Sequence, residues 1–146
     1  VRKGSFSQDY VPLCNFRFMI EGLLELIATE VSGLSHSIET VEFEDKVVYS
    51  LGRKSSLEFT VTVPIHENVQ MGIMELWWLA SQDPMEIGHK HNATLLAHSV
   101  FANITSVYLI TGMFPCGRKY PDFKKSSAEM AEEIWTFKAD DLQVIL

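Results

Sequence analysis

Cysteine is scarce in this chain of 146 residues: Cys14 and Cys116 stand far apart and far from any CxxC spacing, which excludes a disulfide framework and gives no sign of zinc or thiol redox work. Glycine and proline are also few, at 8 and 5, so neither a fibrous nor a low-complexity chain is at hand. Positive charge is in deficit, with 12 Lys and Arg against 19 Asp and Glu and a net charge of -7, which argues against a surface built to neutralise phosphates. No apolar run reaches the roughly 20 residues of a membrane-spanning helix. The basic start Val1-Arg2-Lys3 has no apolar stretch behind it, and the expectation is a chain without a membrane anchor, made in a cytoplasm with two free thiols. No GxGxxG, GxxxxGK[ST] or GxSxG occurs, and Asn92-Ala93-Thr94 and Asn103-Ile104-Thr105 match the glycosylation triplet without a secretory context.

What is present is hydrophobic content of 47%, enough for one ordinary domain with a buried core. Phe16, Phe18 and Ile20 alternate with Arg17, Met19 and Glu21, a half-buried strand closed by Gly22. A second strand is expected over Leu26 to Val31, then a hairpin from His36 to Phe43 and Val47 to Tyr49 around a polar tip. Residues 50–56, with Gly52, Arg53 and Lys54, read as a loop. Leu57, Phe59, Val61 and Val63 alternate with Glu58, Thr60 and Thr62 until Pro64 ends the ladder.

The period then changes. Val69, Ile73, Leu76, Trp77 and Ala80 recur at helical spacing, which predicts a helix over about 69–81, capped by Asn68 and stopped before Pro84. Met71, Met74 and Trp78 form a second apolar stripe on another side, and two apolar faces need two covers: either these three are candidates for a protein interface or the helix is wedged between two sheets of one domain. Short strands are expected at Glu86 to His91, Thr94 to Val100, Ser106 to Thr111 and Glu133 to Ala139, with a loop over 113–125. The fold class is mainly β, a β-sandwich or barrel with one flanking helix.

His89 and His91, two apart on a predicted strand with His98 beyond, are the strongest catalytic lure, since such a pair could chelate a metal. A cupin-like site would also want a spaced glycine before them, where Asp83 stands, and an acid soon after, and Asn92 to Leu96 has none. The favoured reading is polar residues on a solvated sheet face; a small β-barrel metal enzyme is the competing one. Charge separates along the chain. Glu25, Glu30, Glu39, Glu42, Glu44 and Asp45 crowd the first third, while Arg53, Lys54, Arg118, Lys119, Lys124 and Lys125 gather on the two predicted loops. In an assembly of like subunits such asymmetry would orient contacts.

The order of these features, Phe16-Arg17-Phe18-Met19-Ile20-Glu21-Gly22, then Ala28-Thr29-Glu30-Val31-Ser32-Gly33-Leu34, an acidic strand, a basic loop, and Met74-Glu75-Leu76-Trp77-Trp78 after the strong strand, resembles the tail tube protein of contractile-tailed bacteriophages across residues 15–140. The resemblance implies one tail tube domain over 1–146 with an N-terminal arm at 1–14. It implies a structural virion protein, not an enzyme, whose hexameric rings stack into an inner tube within a contractile sheath and serve as the conduit for DNA ejection. The implied partners are further copies of itself, the sheath, baseplate, terminator and tape measure proteins, and DNA passing without specific binding, with no cofactor or metal. The implied location is the virion tail, assembled in the host cytoplasm. Interface candidates are then Met71, Met74, Trp78, Arg53, Lys54, Arg118 and Lys119; Glu39 and Glu42 are channel-lining candidates; Cys14 and Cys116 are candidates for an inter-subunit disulfide. Six copies at -7 each give on the order of forty negative charges per ring, and an acidic wall repels a polyanion. The ring protein of type VI secretion and a baseplate tube-initiator share these expectations.

Overall fold

The computed structural model describes residues 15–22, 24–44, 46–65, 69–85, 89–99 and 104–145. The arm at 1–14 with Cys14, the cap candidate Asn68, residues 86–88 of the strand expected at 86–91, and the side chain of Arg53 lie outside the described residues. The elements are β1 (Phe16–Ile20), β2 (Leu24–Leu26), β3 (Glu30–Ser32), β4 (Ile38–Glu42), β5 (Val48–Lys54), β6 (Leu57–Pro64), α1 (Val69–Ser81), β7 (His91–His98), β8 (Ile104–Lys119), β9 (Glu132–Ala139) and β10 (Asp141–Val144).

One antiparallel sheet runs β2-β1-β7-β8-β9-β6-β3, with β10 also on β8, and β4 and β5 form a separate ribbon. The sheet has two halves because β8, 16 residues long, serves both. Its first part lies between β7 and β10, and its second part pairs with β9 from Phe114 to Lys119. The corner falls at Gly112, whose φ of 66° favours glycine, and a Cβ there would run into the Asp140 side chain. The halves face each other across one core: Phe18 of β1 meets Phe59 of β6 with ring centroids 6.3 Å apart, and Phe59 stacks on Phe137 of β9 at 5.6 Å. Helix α1 closes that core with Met74 and Trp77.

The alternating strands at Phe16 and Leu57 and the helix over 69–81 form where their periodicity puts them. Four expectations are corrected. The segment over Leu26 to Val31 is not one strand, since β2 pairs with β1 in one half and β3 with β6 in the other; the chain crosses between halves at residues 27–29. Residues 50–54 continue a strand, because β5 absorbs Gly52, at φ 77°, in a bulge between the Ile38 and Thr40 pairings.

The loop expected over 113–125 begins only after Lys119. Pro115 and Gly117 are turn residues in a sequence, but here they flank a register shift in the ladder to β9, a place where a missing N–H and a missing side chain are both tolerated. The helix is also rotated from its expected setting. Met74 and Trp77 are buried and Met71 and Trp78 pack against the core, while Leu76 is 68% exposed and Leu79 is exposed too. The bulkiest side chains gain most from burial, so the face carrying the methionines and both tryptophans turns inward.

Candidate assembly surfaces

The ribbon β4–β5 pairs with no other strand among the described residues. Ile38, Phe43, Val47, Val48, Tyr49 and Leu51 are all exposed on it. Its tip turns through Lys46 in left-handed geometry, closed by Lys46 N–H donating to Phe43 O, and Phe43 packs edge-on to Tyr49 at 5.3 Å. An isolated two-stranded hairpin is marginal in water, and monomers seldom leave such a patch uncovered. Glu39 and Glu42, expected on a channel wall, stand on this ribbon and are exposed. Lys54, at its root, reaches Asp141 Oδ1 at 3.4 Å. Desolvation alone would raise the Asp141 carboxyl, but the Leu142 N–H hydrogen bond, the Lys54 contact and Gln143 together outweigh it and hold the group below its usual value.

Arg118 is not a free basic residue of a loop. Its side chain is 8% exposed, lies on β8, and donates to Glu133 Oε1 at 2.9 and 3.1 Å and to Glu75 of α1. The guanidinium lies 4.5 Å from the Trp135 ring and 4.6 Å from the Tyr120 ring. Burial alone would lower its pKa, but the two carboxylates outweigh that and raise it. The group is a clasp that fixes the rotation of α1 on the second half-sheet. Of the three helical interface candidates, Met74 is fully buried and Met71 and Trp78 are partly so, Trp78 resting edge-on against Trp135 at 5.8 Å.

Lys119 is exposed at the end of β8, and the segment after it carries Tyr120, Phe123 at 80% exposure and Met130. A groove of ≈ 210 Å³ there is lined by Lys119, Tyr120, Pro121, Asp122, Glu132 and Ile134. A larger one of ≈ 590 Å³ lies on the outer face of the first half-sheet, against Met19, Glu21, Glu25, Thr94 and Leu96. Arg17 bridges that face to Glu25 with two hydrogen bonds of 2.7 and 2.9 Å, which lower the Glu25 pKa and raise that of Arg17.

The histidines are engaged with different neighbours. His89 lies in a short turn, not a strand, edge-on to Phe114 at 5.4 Å, and His91, which opens β7, is edge-on to Trp77 at 5.3 Å. Both are half-buried among aromatic rings instead of standing on a solvated face. Trp77 donates its indole N–H to the His89 carbonyl, which ties the turn to the helix. Among the described residues no three His, Cys, Asp or Glu side chains group as a metal site. Cys116 is an exposed free thiol whose pKa is raised, chiefly by partial burial of its sulfur. Sequence reasoning missed the Arg118 clasp, whose only signal was the pairing of one Arg with Glu75 and Glu133 from distant elements, and it missed β10.

No protein-family model and no curated protein matches the chain. Solved structures do. The PVC sheath-tube complex of an extracellular contractile injection system in the extended state matches with a TM-score of 0.79 at 17% identity, over 99% of this chain and 97% of that one. The chain has the Hcp-like tube fold. A chain of the anti-feeding prophage cap, a tube terminating cap, shares the fold at 0.77 and 16% identity, covering 92% and 90%. Hcp1 from Flavobacterium johnsoniae shares it at 0.59 and 11%, covering 90% and 94%. The tube fold here therefore includes the bent β8, the flanking helix and the exposed ribbon within one matched unit.

Proposed function

We propose that this chain is a structural subunit of the inner tube of a contractile tail or injection particle. Its copies close into hexameric rings that stack inside a sheath, with baseplate and terminator proteins at the two ends. The reading is supported most by the joint occurrence of the tube fold over nearly the whole chain and an apolar ribbon that the subunit itself leaves uncovered. No catalytic step belongs to it. Sheet edges at β2, β3 and β10 each have one strand partner among the described residues, and open edges are what neighbouring copies can join into a continuous wall.

In its finer form the particle is a bacteriophage tail assembled in the host cytoplasm, the tape measure protein fills the lumen first, and DNA then passes along it. The acidic balance of the chain favours a lumen over which a polyanion slides without sticking. The similarity to both a sheath-tube complex and a terminating cap supports a second position for the same fold, at a tube end.

Negative-stain electron microscopy of the concentrated protein, with light scattering on a sizing column, tests the reading. Rings or stacked tubes with a central hole are the expected result, and a compact monomer at every concentration would overturn it. Copy number in purified particles separates the positions: many rings of this chain mark the tube body, and a single ring marks an end.

A further inference from the structure

Strand β9 alternates regularly, and its buried positions are Glu133, Trp135, Phe137 and Ala139. Three of the four are apolar, so a carboxylate in this row is the exception. Glu133 is 3% exposed and Trp135 is fully buried. One carboxylate oxygen, Oε1, accepts two hydrogen bonds from Arg118, at 2.9 and 3.1 Å. The other, Oε2, is buried with no hydrogen-bond partner among the described residues, and so is the Trp135 indole Nε1. Native interiors seldom leave such groups bare, least of all a charged one.

The two bare atoms belong to one pocket. Glu133 and Trp135 stand two positions apart on the same face of β9, about 7 Å along the strand. Both rest on the Arg118 guanidinium, which bonds Glu133 Oε1 and lies 4.5 Å from the Trp135 ring centre. Their cross-strand neighbours on β6, Val63 and Val61, offer neither donor nor acceptor. From the helix, Trp78 meets Trp135 edge-on at 5.8 Å, and Glu75 is turned to Arg118.

We propose that this pocket is a binding site for one water molecule, which donates to Glu133 Oε2 and accepts from the Trp135 indole N–H. The count of donors and acceptors selects it. Oε2 lacks a donor, the indole lacks an acceptor, and water is both. A proton on Oε2 would instead set a second unpaired donor beside the first. A metal ion would meet the charge of Arg118 and an indole N–H that has no lone pair to give. Hydrogen bonds of ordinary length let one water bridge atoms roughly 4.5–5 Å apart, a span within reach of two side chains on one strand face. With the water in place every polar group of the clasp is paired, the condition under which a buried network holds α1 in a single setting. The site lies within one subunit and stands whether or not copies assemble.

A density map of the purified chain at a resolution that shows ordered water tests the site, for the free subunit or for any assembly of it. The expected result is a peak within roughly 2.6–3.2 Å of both Glu133 Oε2 and Trp135 Nε1. In Trp135→Phe, which keeps a ring beside Arg118, that peak should be lost, because one of its two partners is gone. Raman spectra of the indole N–H give a second reading in solution: the band that Trp135→Phe removes from the parent spectrum should be that of a hydrogen-bonded indole. An indole that donates straight to Glu133, a free-indole band, or a peak that persists unchanged in Trp135→Phe would overturn the site. So would a peak with the short, about 2.0–2.6 Å oxygen contacts of a metal ion. Should Trp135→Phe fail to fold, the parent map alone decides.

Discussion

Strands β5 and β6 are separated by two residues and built from similar side chains, yet they end in opposite environments. In β6, Leu57, Phe59, Val61 and Val63 are buried under Phe18, Phe137 and the helix. In β5, Val48, Tyr49 and Leu51 are exposed. Period-two alternation and β-branched or aromatic content therefore specify a strand in both places and a core in only one. The difference lies in what the rest of the chain supplies: β6 has strand partners on both sides and a second half-sheet opposite, whereas among the described residues β5 has β4 alone. Residues that one subunit leaves uncovered are available to a neighbouring subunit, so under the proposed function the same chemistry would serve folding in one strand and assembly in the next.

The widest separation should come from cutting one large ring out of each region. Trp135 is 0% exposed and touches Trp78, Phe137 and the Arg118 guanidinium, so Trp135→Ala should lower the unfolding free energy by about 3–5 kcal/mol in urea denaturation. Tyr49→Ser on the ribbon should change it by no more than about 0.5 kcal/mol and yet abolish stacked tubes in micrographs. A loss of stability from Tyr49→Ser as large as that from Trp135→Ala would mean that the ribbon is part of the monomer's core after all.

The clasp offers a second cut at the same contrast, at lower magnitude. Arg118→Met keeps much of the packing over Trp135 but leaves Glu133, whose side chain is 4% exposed, without its cation. Stranding a buried charge costs about 3 kcal/mol or more, and Glu75, being half-exposed, can turn to water. The additional change Glu133→Gln should restore part of the loss, which a double-mutant cycle would read as a coupling of at least about 1 kcal/mol. Additive losses would show instead that Arg118 acts only through its contact with the rings.

How much of this could be read from the sequence follows from the same contrast. Periodicity is a local signal, and it located β1, β6 and α1. It could not say which of its two apolar stripes α1 turns inward, because that is decided by burial against strands distant in the chain, with Arg118 of β8 reaching Glu75. Pro115 and Gly117 carry the chemistry of a loop, and only the β9 partner with its shifted register makes them strand residues. The ribbon's acidic and apolar composition was visible, but its detachment from the sheet was not. His89 and His91 read as a pair by spacing, while the turn at His89 sends the two rings to different aromatic neighbours.

The smallest effect belongs to the exposed pair on the outer face of the first half-sheet. Arg17 donates two hydrogen bonds to Glu25 and pulls the Glu25 carboxyl below its unfolded value of about 4.3. A carboxyl lowered in this way contributes stability that is present above the unfolded pKa and is lost as pH falls through the folded one. Urea unfolding of Glu25→Gln should therefore show a small deficit against the parent at neutral pH that shrinks to nothing once the carboxyl is protonated. The pair is solvated and screened, so salt should erase most of that deficit, whereas the Arg118 deficit, set in a nearly closed pocket, should persist. Equal salt sensitivity of the two would mean that the clasp is as open to water as the surface pair, and the division between a sealed half of the molecule and an exposed one would fail there.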